Sequence, residues 1–294
     1  MKTITIPLSL IFTIIIGFSQ VSCNSQAPKD KAYPTGNGII PYNLDKPDQK
    51  IKLDMVLQEI SALSYYKNKQ LACLHDEHGN IYIIGHETEK TERKIQVAGR
   101  GDFEGIEIIE NVAYMLKSNG QLTKVVGFDD EKPKEITKQK TGLSTKNDCE
   151  GLGYDPQSNT LLIACKNKPY LDKNNKKYKG KRAVYEYDLN KQKLKKKPKY
   201  LIDLTEIKNT TGKKDFMPSG IAVHPVTHNI YIIASVGKLL IVLNRAGELI
   251  DFAHLNPKIF RQPEGICFSP DGKQLFISNE GRKKRGNLLV FDQK

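Results

Sequence analysis

The sequence predicts an all-β protein, a β-propeller of five blades closed by an N-terminal strand. Three observations carry this. A short motif returns five times along the chain. Its returns fall near every 45 residues, the length of a four-stranded propeller blade. Between them lie runs rich in Ile, Val, Leu and Tyr, bounded by Gly, Asn and Asp, with no amphipathic helical pattern.

The motif joins Glu or Ser to Gly, or a stand-in, and then Ile or Leu. It reads LQEISALSY at Leu57–Tyr65, DFEGIEII at Asp102–Ile109 and NDCEGLGYDP at Asn147–Pro156. It returns as FMPSGIAVHP at Phe216–Pro225 and QPEGICFSP at Gln262–Pro270. Ser61, Glu104, Glu150, Ser219 and Glu264 are the equivalent positions, at intervals of 43, 46, 69 and 45 residues. A sixth blade, the alternative, would have to fit inside the 69-residue interval, which exceeds one period by only 24.

Each blade opens on its motif and continues in further strands. NIYIIG (Asn80–Gly85) belongs to the first blade, and VAYMLKSNGQLTKVV (Val112–Val126), with its SNGQ hairpin turn, to the second. NTLLIACK (Asn159–Lys166) and RAVYEYDL (Arg182–Leu189) follow the third motif, and NIYIIASVGKLLIVL (Asn229–Leu243) the fourth. The last blade has QLFISNEG (Gln274–Gly281) and few residues left before Lys294. The segment Ile39–Leu53 is expected to complete it and close the ring, removing the exposed sheet edges.

The domain organisation is residues 1–22 as an export signal, 23–38 as a polar tether and 39–294 as the propeller. Lys2 precedes a mostly apolar run from Ile4 to Phe18, too short for a comfortable spanning helix. Gln20-Val21-Ser22-Cys23 resembles a bacterial lipobox, with Leu usual where Gln20 stands; lipidation at Cys23 would anchor the chain to a membrane of the cell envelope. Cleavage after Ser25-Gln26-Ala27 is the alternative. Cys73, Cys149, Cys165 and Cys267 lie in or beside apolar strands without a CxxC, which points to buried free thiols.

The formal charge of +13 is concentrated. Residues 166–199 hold 14 Lys and Arg against 3 Asp and Glu. This basic region reads as a solvated surface, or as a patch that attracts anionic lipid or polysaccharide. An exported chain gives it no reason to meet nucleic acid.

In a propeller the first strand of each blade lines the central channel. Glu104, Glu150 and Glu264 should therefore converge near the axis, with Ser61 and Ser219 in the other two places. Glu59, two residues before Ser61, is expected on the same strand face. Converging carboxylates raise one another's pKa unless a cation lies among them. An oxygen-only set suits a hard cation, calcium ahead of magnesium. Blade-to-blade hydrogen bonding is the purely architectural reading. Asp76, Glu77, Asp102, Asp148, Asn279 and Glu280 form a second tier around the channel mouth. His75 and His78 are spaced like ligands without a supporting motif, and His224 and His228 read as surface residues beside a turn.

The motifs QEISAL, DFEGI, CEGLGYDP, PSGIAVHP and PEGICFSPDG, in this order and spacing, resemble the SdiA-regulated family over about residues 45–294. Ala62 stands where the family usually has Gly. The resemblance implies an exported, membrane-associated β-propeller, distantly akin to phytase-like and gluconolactonase-like propellers, with calcium linked to some members. No G-x-S-x-G, H-E-x-x-H or phosphate-cradling loop is present. The leading reading is an envelope-anchored binding or scaffold module. The alternative is a metal-dependent hydrolase of phosphoesters or lactones, with the cation polarising the scissile group and a ring carboxylate as base.

Overall fold

The computed structural model describes residue 1 and residues 36–88, 90–171 and 176–294. The export signal, Cys23 and most of the tether lie outside the described residues.

Residues 36–294 form five antiparallel sheets, the blades of a propeller. Strand β1 (Gln49–Lys52) comes first. Blade 1 is β2 (Ile60–Tyr65), β3 (Gln70–His75), β4 (His78–Gly85) and β5 (Thr91–Arg100). Blade 2 is β6 (Phe103–Ile109), β7 (Val112–Lys117), β8 (Gln121–Val126) and β9 (Glu135–Lys140). Blade 3 holds β10 (Cys149–Asp155), β11 (Thr160–Cys165) and β12 (Lys181–Asp188), with β13 (Lys193–Leu194) and β14 (Tyr200–Asp203) both paired to β12. Blade 4 is β15 (Met217–Val223), β16 (Ile230–Val236), β17 (Leu239–Leu243) and β18 (Leu249–His254). Blade 5 is β19 (Pro263–Phe268), β20 (Gln274–Asn279), β21 (Asn287–Asp292) and the returning β1.

Ring closure is as expected from Ile39–Leu53. Strand β1 pairs antiparallel with β21, Gln49 opposite Val290 and Lys52 opposite Asn287. The preceding residues are tied down as well. Asp251 accepts from the Ile39 and Ile40 amides at 2.8 and 2.9 Å, and the Tyr42 hydroxyl donates to the Gly272 carbonyl at 2.5 Å.

The 69-residue interval holds no sixth blade. It is filled by the excursion between β11 and β12, by β13 and β14, and by a helix, α1 (Leu204–Thr211). That helix corrects the expectation of an all-strand chain. Asp203 caps it, accepting from Thr205 N at 2.8 Å, and Glu206 follows at the third helical position. Gly212, at φ 73°, ends it. No helix among the described residues is long and apolar enough to cross a membrane.

The core is divided among the five seams between blades. Tyr231 and Ile233 pack with Phe260 and Phe291 toward blade 5. Their neighbours Ile230 and Ile232 pack toward blade 3 with Phe216. Blade sheets are thus apolar on both faces, which is why their strands read as continuous hydrophobic runs rather than alternating ones. The inner strands β2, β6, β10, β15 and β19 contact one another in a closed ring.

His224 corrects the surface reading. It is 4 % exposed, its ring packs against Phe268 at 4.9 Å, and its Nε2 donates to Tyr42 Oη at 3.1 Å while its Nδ1 accepts from the Val226 amide. The four cysteines from Cys73 on are free and buried, as expected.

Candidate functional site

The five motifs open the five inner strands, and each motif residue falls on an irregularity of pairing. In blade 1, Ile60 faces His75 and Ala62 faces Leu74, leaving Ser61 as the extra residue. Glu104, Glu150 and Ser219 are the extra residues of blades 2, 3 and 4 in the same way. In blade 5, Glu264 and Gly265 together oppose Ser278. A β-bulge re-aims the side chain it carries. Repeated five times at one level, it turns Ser61, Glu104, Glu150, Ser219 and Glu264 toward the axis, where they line one small space with the two residues that follow each. That space is about 10 Å³, room for one water or one ion.

The glycines serve the seams. A Cβ on Gly220 would stand 2.3 Å from the Glu264 carbonyl oxygen, and one on Gly105 would stand 2.6 Å from the Leu152 Cβ. The close approach required of the motif glycine is therefore to the next blade. At Ala62 the seam toward blade 2 accommodates a methyl group, which is buried there.

The two serines divide from the three glutamates. Ser61 Oγ donates to the Phe103 carbonyl at 2.6 Å and Ser219 Oγ to the Pro263 carbonyl at 2.7 Å, each on the next blade. They lock blades together. Glu150, 7 % exposed, takes Lys166 Nζ at 3.0 Å. Burial pushes the Glu104 carboxyl far above the usual range, with Glu150, Asp102 and Glu264 adding repulsion. Burial also raises Glu150, and Lys166 draws it only part of the way back. Glu264 is pushed up to about 8 by burial and then by Glu150. The Lys166 pKa is raised: burial alone would lower it, but the Glu150 carboxylate outweighs that. Three acids thus share one water-poor space with too little positive charge to ionise together.

The second tier divides too. Asp102 accepts from Ser118 Oγ, and Asp148, at φ 56°, accepts from Asn167 Nδ2 at 2.9 Å. Both lie close enough to raise Glu150. Glu59 does not share the axis with Ser61, because the bulge at Ser61 breaks the two-residue alternation that the expectation assumed. Its carboxylate faces His75 and Asp76 instead, and Glu280 of blade 5 lies within their electrostatic reach. Glu77 is exposed and pairs with Arg100 at 3.3 Å. Asn279 is fully buried and bonds Asn287 at 3.1 Å inside blade 5.

Sequence reasoning missed Lys166, which it counted with the basic region. The available signal was position: Lys166 follows β11 as Asp76 follows β3 and Glu280 follows β20. It also missed Glu107. That carboxylate accepts from Ser64 Oγ of blade 1 at 2.9 Å and Tyr154 N of blade 3 at 3.1 Å, bridging three blades, and burial pushes it up to about 7. Within the basic region, Lys195 and Lys199 both reach buried Glu186, at 2.8 and 3.2 Å, and Lys181 reaches Asp203 at 3.0 Å.

These features define a five-bladed propeller with a carboxylate-lined channel mouth. The chain belongs to the SdiA-regulated family, whose sequence model matches residues 42–283. No curated protein matches it in sequence. Among solved structures it is similar in fold to a luciferin-regenerating enzyme, at 10 % identity and TM-score 0.50, covering 84 % of this chain and 95 % of that one. It is also similar to a gluconolactonase-like protein, at 10 % identity and TM-score 0.51, covering 81 % of this chain and 76 % of that one. At that identity the likeness speaks to fold alone.

Proposed function

We propose that the protein is a binding module of the cell envelope, anchored through Cys23, whose channel mouth takes up calcium, with magnesium second. One observation carries the reading: three glutamates, each aimed by its own bulge, converge with raised pKa values on a space sized for a single ion. The donor set fits. It is all oxygen, with no His or Cys at that level, which suits a hard cation. Glu104, Glu150 and Glu264 would hold it. The ion would supply the positive charge that lets the three acids ionise together, and Lys166 would swing its ammonium off Glu150.

A hydrolase would need room beside the ion for a scissile group. The carboxylates line a space for one small species, and no nucleophile–base pair stands beside them among the residues that line it.

The test is calorimetric titration of metal-stripped protein with calcium, beside a Glu104→Gln/Glu150→Gln variant. Saturable binding in the parent and none in the variant is the expected result. Equal affinity in both would remove calcium from the axis. Anchoring is checked separately: radiolabelled palmitate should enter the expressed protein and be absent from Cys23→Ala. Exposed lysines of residues 166–199 supply a patch for anionic lipid or polysaccharide, and their replacement should weaken vesicle binding without touching calcium.

A further inference from the structure

Off the axis, at the seam of blades 1 and 5, a second donor set forms where the start of β2 meets the end of β3. Glu59 precedes β2, His75 ends β3, and Asp76 follows it. Each offers one ligand atom, and these atoms lie within 4.8 Å of one another. The backbone fixes them: Asp76 N donates to the Glu59 carbonyl at 3.1 Å, and Phe103 N to the Asp76 carbonyl at 2.7 Å. Glu280 approaches from blade 5, its backbone N donating to the Gln262 carbonyl at 2.9 Å and its carboxylate taking the Gln262 side chain.

The imidazole geometry distinguishes this group from a rim of surface acids. His75 is 8 % exposed. Its Nδ1 lies 2.9 Å from Asp76 Oδ1. The Glu77 amide reaches the same two atoms, at 3.2 Å and 2.6 Å, and its shorter bond goes to the carboxylate. A proton on Nδ1 shared with Asp76 leaves the Nε2 lone pair facing Glu59 Oε2 at 3.7 Å. That separation is too long for a hydrogen bond. It matches two ligands of one ion, which at about 2.1 Å each stand roughly 3–4 Å apart. A carboxylate on the far nitrogen is also how metal-binding histidines are oriented.

We propose that Glu59 and the Nε2 of His75, with Asp76 holding the opposite ring nitrogen and Glu280 as the neighbouring carboxylate, form a second metal centre for a divalent transition ion of the zinc class. The imidazole nitrogen sets the preference. The axial site is all oxygen and takes a hard cation, whereas a mixed nitrogen and carboxylate set binds borderline ions far better. The two centres share no ligand.

The test uses the metal-stripped full chain without a histidine tag. Cobalt(II) is the probe, read by its visible absorption, with zinc as competitor. The parent should bind one cobalt with ligand-field bands of a nitrogen and oxygen site, displaced by zinc. His75→Gln and Glu59→Gln should each weaken cobalt at least tenfold and leave calcium titration unchanged. Glu104→Gln/Glu150→Gln should do the reverse. Circular dichroism and melting confirm that each variant folds; with two independent variants, one poorly folded protein leaves the other to decide. No stoichiometric cobalt binding in the parent overturns the proposal. So does equal cobalt affinity in a folded variant, or the intense charge-transfer bands of a cysteine thiolate complex. The calcium arm stands apart, so loss of either centre is read without the other.

Discussion

In the metal-free protein Glu264 should contribute more stability in mild acid than at neutral pH, against the opposite trend of His86, His224 and His254, whose pKa values burial lowers. The Glu264 carboxyl rises from 4.5 to about 8 on folding. Between those values the folded state holds a proton that the unfolded chain has released. Stability from this group is fully present below pH 4.5 and is lost as pH climbs toward 8. One proton of difference corresponds to about 1.4 kcal/mol per pH unit, so the step from pH 5 to pH 7 removes about 3 kcal/mol. For a domain of this size that lowers the melting temperature by roughly 6–12 °C. Glu104 and Glu150 are raised as well and steepen the slope. The assay is denaturant unfolding in a chelator at half-unit pH steps, for the parent and for Glu264→Gln. Glutamine mimics the protonated acid, so the variant should match the parent at pH 5, exceed it by about 3 kcal/mol at pH 7, and show a shallower slope. Parallel profiles for the two proteins would refute the claim that Glu264 is buried beside unneutralised carboxylates.

Lys166→Met should destabilise the chelated protein at neutral pH by about 1–3 kcal/mol, since Glu150 loses its buried ionic partner; by removing a competing charge it should also tighten calcium about tenfold, both read in one melting and calorimetry series. Gly220→Ala should cost about 1–3 kcal/mol, because its methyl meets the Glu264 carbonyl oxygen at 2.3 Å across the seam of blades 4 and 5, and denaturant midpoints report it. Ser219→Ala should cost about 1–2 kcal/mol by leaving the Pro263 carbonyl without its donor. Cys73, Cys149, Cys165 and Cys267 should resist a thiol reagent in the native protein and react once it is unfolded, as residue-mapped mass spectrometry would show.

The fold was legible because a propeller repeats its chemistry. The Glu-Gly-Ile spacing marks the inner strand of each blade, and the short last blade asks for the Ile39–Leu53 segment to complete it. The site was legible at the level of which acids converge, since equivalent positions in a ring meet by symmetry. What lay beyond reach depended on details that break the pattern. The bulge at Ser61 sends Glu59 away from the axis, and pairing register is invisible in a list of residues. The serines differ from the glutamates because a short hydroxyl reaches only the next blade's carbonyl, whereas a glutamate extends into the channel. Lys166 was hidden by its company: thirteen other cations within residues 166–199 made it look like one more surface charge. Helix α1 spans eight residues, shorter than the window over which a hydrophobic period can be read.

The central claim, that the bulged glutamates hold a hard cation, is tested most directly by diffraction from crystals grown with calcium, using anomalous scattering. The account predicts one peak on the channel axis, about 2.4 Å from an oxygen of each of Glu104, Glu150 and Glu264, with the Lys166 ammonium displaced from Glu150. Calcium found only on the outer surface, with Lys166 still paired to Glu150, would contradict it and leave the glutamate ring as a device for holding five blades together.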